Sequence, residues 1–328
     1  MKKYLTIVMS AVLVFCLFPL PIRAEGGEWV EEDGLMYWVE DGWRKGTDYD
    51  PECIKDRNGN FSLGREIYDP AEDAWYWLDS AKGGARAEDT QIHLPYCNAD
   101  EEPFSTEGKT VYYDSDGKRV HGWHVEGKNA YYYDPSNGAL QREDFSMHGV
   151  DYKVDAKTGR ILAVEHHDVP YITPAGMMQY RFQTVNISLG IWTIFANYLG
   201  GKETTSDEMQ EMIDSLEFDV YREVSKRYHL PFQGHLTYDD MIASLKKGMM
   251  VMIITHDGHF NVDKEHYSYN FIIAFGLDER ERAMVYDLTD ESRNRWHPAR
   301  HLYEDTYRSM QPLFRGALGR VSAWGFAE

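Results

Sequence analysis

Cysteine is scarce and stops early: Cys16, Cys53 and Cys97 are the only three in 328 residues, and none follows. That absence excludes a thiolate nucleophile from everything beyond residue 97, because only the thiolate attacks a peptide carbonyl. Basic residues are also few, 34 against 54 acidic ones, for a formal charge of −20. Such a balance argues against nucleic acid and against anionic lipid as partners and is otherwise that of a solvated surface. After about Leu20 no apolar run is long enough to span a bilayer. Helical periodicity is almost missing before residue 166, where the composition changes.

What is present begins with an export signal. Lys2 and Lys3 form a basic start, an apolar stretch runs from Tyr4 to about Leu20, and Ala24 precedes the acidic Glu25 as the last residue before cleavage. An uncleaved anchor is the other reading, but the run is short and broken by Pro19 and Pro21. Cys16 follows Phe15, too large for a lipoprotein cleavage site. Loss of residues 1–24 removes Lys2, Lys3 and Arg23 and no acid, which leaves 31 basic against 54 acidic residues and a charge of −23. Cys53 and Cys97 stay in the exported chain. They form either one disulfide, worth roughly 4 kcal/mol at best, or two buried thiols. The length suits two domains with ordinary cores.

Residues 25–165 are rich in Trp, Tyr, Gly and Asp. Three units align: Gly108-Lys-Thr-Val-Tyr-Tyr-Asp-Ser-Asp-Gly117, Gly127-Lys-Asn-Ala-Tyr-Tyr-Tyr-Asp-Pro-Ser-Asn-Gly138 and Gly149-Val-Asp-Tyr-Lys-Val-Asp-Ala-Lys-Thr-Gly159. Each is a turn glycine, a short aromatic strand and a polar turn closed by glycine, which is β-hairpin chemistry. Gly122-Trp123 links the first two. Gly34 to Trp43 has the same grammar, and Asp73 to Asp79 followed by Gly83-Gly84 is a further unit, whereas residues 44–74 fit none. As a set these segments resemble the choline-binding-type cell-wall repeats of Gram-positive surface proteins, over about residues 27–165. The resemblance implies an all-β, solenoid-like stack of hairpins whose aromatic side chains cage a quaternary ammonium by cation–π attraction. It makes Trp43, Trp77, Trp123 and Tyr132 the candidate ligand-binding residues and a choline-like group or cell-wall polymer the candidate partner. The alternative is that the rings only pack against neighbouring hairpins, which lack a large core of their own.

Residues 166–328 read as α+β, with His166-His167-Asp168 a polar linker. A helical pattern from Ile191 to Leu199 stops at Gly200-Gly201. Thr205-Ser-Asp-Glu208 begins a helix to about Leu216, and Thr237-Tyr-Asp-Asp240 begins another to Lys247-Gly248. Apolar strands follow at Met249–Thr255, Phe271–Phe275 and Ala283–Tyr286. The order and several local strings resemble papain-fold cysteine peptidases of the bacteriocin-processing type. Val169-Pro170-Tyr171-Ile172 resembles the entry strand, Lys247-Gly-Met-Met-Val251 a further strand entry, and Asn270 to Gly276 the strand that carries the base.

The resemblance implies a site at Gln183 (oxyanion donor), Leu189 (nucleophile position), Asn270 (base position) and Asp287 (orienting acid). Leu189 cannot attack, and Asn270 cannot take a proton near neutral pH, so no catalytic set is intact. The cleft this fold implies suits an extended peptide or a protein partner. An active hydrolase is the alternative, using Ser188 with His266 or a metal in the His256-Asp257-Gly258-His259 loop with Asp263 and His266. No fixed metal motif occurs, and no cofactor is implied. The expectation is a secreted, cell-surface or wall-associated protein with no membrane contact after signal cleavage. A purely structural surface protein is the third reading.

Overall fold

The computed structural model describes residues 26–47, 54–55, 61–62, 64–94, 108–169, 195–196, 198–201, 225–255, 270–287, 291–305 and 315–318. The signal segment, Cys53, Cys97, Gln183, Ser188, Leu189, the helix expected after Thr205 and the His256–His266 loop lie outside them. The chain divides into two compact units, residues 1–120 and 121–328.

The first unit is built of antiparallel hairpins. Its main sheet contains β1 (Glu28–Glu32), β2 (Leu35–Glu40), β3 (Trp43–Arg44), β6 (Gly64–Asp69), β7 (Ala74–Asp79) and β8 (Ala85–Arg86), in the order β1-β2-β8-β7-β6 with β3 on β2. The short β4 (Ile54–Lys55) pairs with β5 (Phe61–Ser62), and β9 (Thr90–Leu94) with β10 (Lys109–Tyr113). The two-residue turn between β1 and β2 is Asp33-Gly34, with φ of 52° and 77°. Two consecutive left-handed residues match the twist of the flanking strands, and Asp-Gly is the dipeptide that adopts them at least cost. Asp41-Gly42 repeats the device between β2 and β3.

Two aromatic cores result. Trp38, Ile67, Tyr76 and Leu78 form one, with Trp29 against it; Trp77, Ala87, Leu94, Val111 and Tyr113 form the other. The Tyr113 hydroxyl donates to Glu66 at 2.8 Å, and Arg119 donates to the same oxygen at 2.8 Å. The Arg119 and Glu66 side chains are 2% and 6% exposed, so this is a buried ion pair joining distant hairpins.

The second unit starts with hairpin β11 (Gly122–Glu126) and β12 (Asn129–Tyr133). The three-stranded sheet β13 (Phe145–Met147), β14 (Val150–Val154) and β15 (Ile161–His166) follows. Asp114, Asp134 and Asp155 close successive units in one way, each side chain accepting backbone N–H groups two to four residues on. Asp278, far along the chain, does the same for Arg280 and Arg282.

The remaining strands form one antiparallel sheet in the order β16-β21-β17-β18-β19-β20. These are β16 (Phe232–Gly234), β17 (Met250–Thr255), β18 (Asn270–Phe275), β19 (Arg282–Asp287), β20 (Trp296–Pro298) and β21 (Arg315–Leu318). Helix α1 (Tyr238–Lys246) is capped by Thr237 and Asp240 in a reciprocal capping box, and α2 (Ala299–Glu304) is shorter. Met241, Ile242 and Leu245 of α1 pack on Val251, Ile253, Ile272 and Val285, with Leu302 of α2 in the same core. Ile273 and Tyr286 have the opposite parity, and Phe195, in the helical residues 195–196, meets the Tyr286 ring edge-on at 5.7 Å. Both faces of the sheet are therefore covered, which explains why its strands read as continuous apolar runs.

The hairpin sheet is built into this unit. Val164 and Leu277 exchange both backbone hydrogen bonds, at 2.7 and 2.8 Å. The Tyr152 hydroxyl donates to the Lys247 carbonyl at 3.1 Å, Lys153 pairs with Glu279, and Lys128 pairs with Glu281 at 2.5 Å. His166, expected in a linker, instead ends β15. It is 9% exposed with its ring edge-on to Phe275 at 5.9 Å, because strand pairing continues to Val150 opposite it.

Candidate functional site

The aromatic residues singled out from the sequence have three different fates. Trp43, on the two-residue strand β3 opposite Glu40, is 76% exposed. Trp77, in the middle of β7 and paired with Glu66, is 3% exposed and belongs to a core. Trp123 and Tyr132 are cross-strand partners on β11 and β12, and their rings meet edge-on at 5.0 Å.

Two residues not anticipated complete a circuit around that pair. Tyr132 stacks on Phe145 at 5.2 Å, Phe145 stacks on Tyr152 at 4.6 Å with the planes 10° apart, and Tyr152 returns to Trp123 at 5.4 Å. Trp123 and Tyr132 come from one hairpin, Phe145 and Tyr152 from the next. Trp123, Tyr132 and Phe145 are half-buried, whereas Tyr152 is buried. Burial pushes the Tyr132 phenol above its ordinary value, with Asp134 adding to the effect, so the ring stays neutral. The four rings pack on one another at centroid distances of 4.6–5.4 Å, and Trp123 and Phe145 also lie against the core of Ala130, Val150, Val154, Ile161 and Val164; neutral π faces of this kind attract a weakly hydrated cation, and quaternary ammonium is the best matched group. Phe145 and Tyr152 are themselves a cross-strand pair.

At the other candidate site, Asn270 opens β18 opposite Thr255, two residues before Ile272. Ile272 pairs with Asp287, so Asn270 and Asp287 stand at the same end of neighbouring strands. Asp287 is 1% exposed, and Arg293 donates to its Oδ2 at 3.2 Å. Its backbone N–H donates to the Asn294 side-chain oxygen at 2.6 Å. The Arg293 guanidinium thus stands as the partner of a carboxylate removed from solvent. Gln183 and Leu189 lie outside the described residues, so the geometry brings together two of the four positions.

Residues 105–145 match the choline-binding repeat family. This segment of the chain is similar to a choline-binding repeat. It contains Trp123 and Tyr132 and ends at Phe145. No curated protein matches the chain. Among solved structures, the modular autolysin LytC of Streptococcus pneumoniae aligns over 45% of this chain and 30% of its own, at 20% identity and a TM-score of 0.25. The pneumococcal cell wall endolysin from phage Cp-1, complexed with choline, aligns over 45% of this chain and 34% of its own, at 17% identity and a TM-score of 0.26. Choline binding protein F of Streptococcus pneumoniae, in the presence of a peptidoglycan analogue, aligns over 40% and 51%, at 21% identity and a TM-score of 0.17. These superpositions are too loose to carry an argument; the repeat match is what bears on function.

Proposed function

We propose that this is a cell-envelope-associated protein held to a wall polymer by its aromatic hairpins, which take a choline-like quaternary ammonium group. The observation that carries this reading is that the matched repeat, residues 105–145, contains Trp123 and Tyr132, two rings in contact at 5.0 Å. Phe145 and Tyr152 supply the wall from the following hairpin. The exposed Trp43 is a second candidate contact on the first unit. In the same reading the C-terminal part is a papain-like scaffold without a nucleophile, which recognises a peptide or protein instead of cutting it. The placement of Asn270 and Asp287 on adjacent strand ends supports that part, as does the lack of any cysteine after Cys97.

The test is retention of the full chain on immobilised choline and its release by free choline. Trp123→Leu, checked for native circular dichroism, is expected to abolish retention. A wild-type chain that passes straight through would overturn the wall-binding reading. Turnover of a general peptidase substrate by the purified protein would overturn the non-catalytic one.

A further inference from the structure

Trp29, Trp38 and Tyr76 meet at one corner of the first unit. The Trp29 ring stands edge-on to Trp38 at 5.0 Å and to Tyr76 at 4.8 Å, and its indole N–H donates to Asp69 at 2.9 Å. Trp29 is half-buried, and the other two rings are buried. A cation from the chain itself stands against this corner. The Arg86 guanidinium carbon lies 5.4 Å from the Trp29 ring centre and 5.9 Å from that of Tyr76, within cation–π reach of both. The pattern recurs in the same unit: Arg44 lies over Tyr37 at 4.0 Å and Arg119 over Trp75 at 5.1 Å.

Arg86 is fixed where it stands. Its Nε and Nη2 donate to one Glu88 oxygen at 3.0 and 2.6 Å, and its side chain is 17% exposed. The turn at Gly117 closes on its stem, so that a Cβ there would lie 2.6 Å from the Arg86 Cδ. Its strand β8 pairs with β7, which carries Tyr76. A tethered group acts at an effective concentration on the order of millimolar or above, and this one is already ordered and paired. A free quaternary ammonium would have to displace it for the same ring faces, and it has no N–H to take over the bonds to Glu88. The circuit in the second unit differs: among the described residues no guanidinium lies over Trp123, Tyr132 or Phe145.

We infer that Arg86 determines specificity: it is the resident cation of the Trp29–Tyr76 corner and keeps an external quaternary ammonium out, which leaves the second unit's rings to take the ligand. The last clause rests on the choline reading above; the occupancy of the corner by Arg86 does not.

Two measurements on the full chain test this. In a choline titration followed by nuclear magnetic resonance, the Trp123 indole N–H signal is expected to shift and the Arg86 Nε–H signal to stay in place. Movement of both with one midpoint would overturn the proposal. No movement of the Trp123 signal would overturn the choline reading instead, and the second measurement then still decides the role of Arg86. It compares choline affinity by calorimetry in a Trp123→Leu background. Addition of Arg86→Ala is expected to raise the affinity about tenfold, and further addition of Trp29→Leu to cancel that gain. Near-ultraviolet circular dichroism checks the ring packing of each variant, with Arg86→Gln in place of Arg86→Ala if the latter loses its signal. No gain in a natively packed Arg86 variant, or a gain that survives Trp29→Leu, would overturn the proposal.

Discussion

Tyr152 belongs to the aromatic circuit through Phe145 and Trp123, and its hydroxyl reaches the Lys247 carbonyl, 95 residues on, at 3.1 Å. That carbonyl begins the turn from α1 into β17. The next residue, Gly248, has φ of +76°, and a Cβ there would lie 2.3 Å from the Tyr152 oxygen. Gly248→Ala therefore meets both backbone strain and a clash, whereas Tyr152→Phe loses only the hydrogen bond. Tyr152→Phe is expected to cost about 1 kcal/mol, and Gly248→Ala clearly more, both read from denaturant midpoints.

The paired backbone hydrogen bonds between Val164 and Leu277 make the hairpin sheet a continuation of the C-terminal structure. A fragment of residues 121–328 is expected to unfold in one cooperative transition. A fragment of residues 167–328 lacks β14 and β15, leaves Leu277 and Gly276 uncovered, and is expected to lose near-ultraviolet circular dichroism and bind ANS. Equal cooperativity in both fragments would show that the hairpins are dispensable to that fold.

In the first unit, one Glu66 oxygen accepts from both Arg119 and Tyr113, and the ion pair is almost fully buried. Arg119 also lies over the Trp75 ring at 5.1 Å. Removing the carboxylate strands a buried cation. Glu66→Ala is expected to destabilise the protein by about 3–5 kcal/mol, and Tyr113→Phe by about 1 kcal/mol. Thermal unfolding that reports on the first unit checks both.

Local chemistry made much of this legible in the sequence. Asp33-Gly34 dictates a tight hairpin, Thr237 with Asp240 dictates the start of α1, and the apolar runs at Met250–Thr255 and Asn270–Phe275 are the central strands. Strand parity was not legible. Trp43 follows Gly42 and Trp77 ends the run Trp75-Tyr76-Trp77, and neither string tells that one is on a short edge strand and the other on a paired central one, which sets their opposite burial. Partner choice across long separations was equally hidden: nothing near Val164 announces Leu277 as its partner. The same reason kept Phe145 and Tyr152 out of the expected aromatic site, since membership depends on which hairpin face meets which.

His167 and Asp151 make a pair at 2.6 Å that gives the second unit a pH response. The hydrogen bond to Asp151 and its charge hold His167 above its ordinary value; bonds from Ser146 and then His167 hold Asp151 below its own. A raised histidine contributes stability that is full below about pH 6.5 and is lost as pH rises through its native value. A depressed aspartate contributes stability that is present above about pH 4 and is lost as pH falls through its native value. Between those limits the pair contributes most. Both side chains are half in solvent, so salt is expected to weaken the effect. The His167 imidazole resonance should titrate above pH 6.5 in the native protein and move down in Asp151→Asn. A midpoint at the ordinary value in the unaltered chain would mean that the pair does not form in solution.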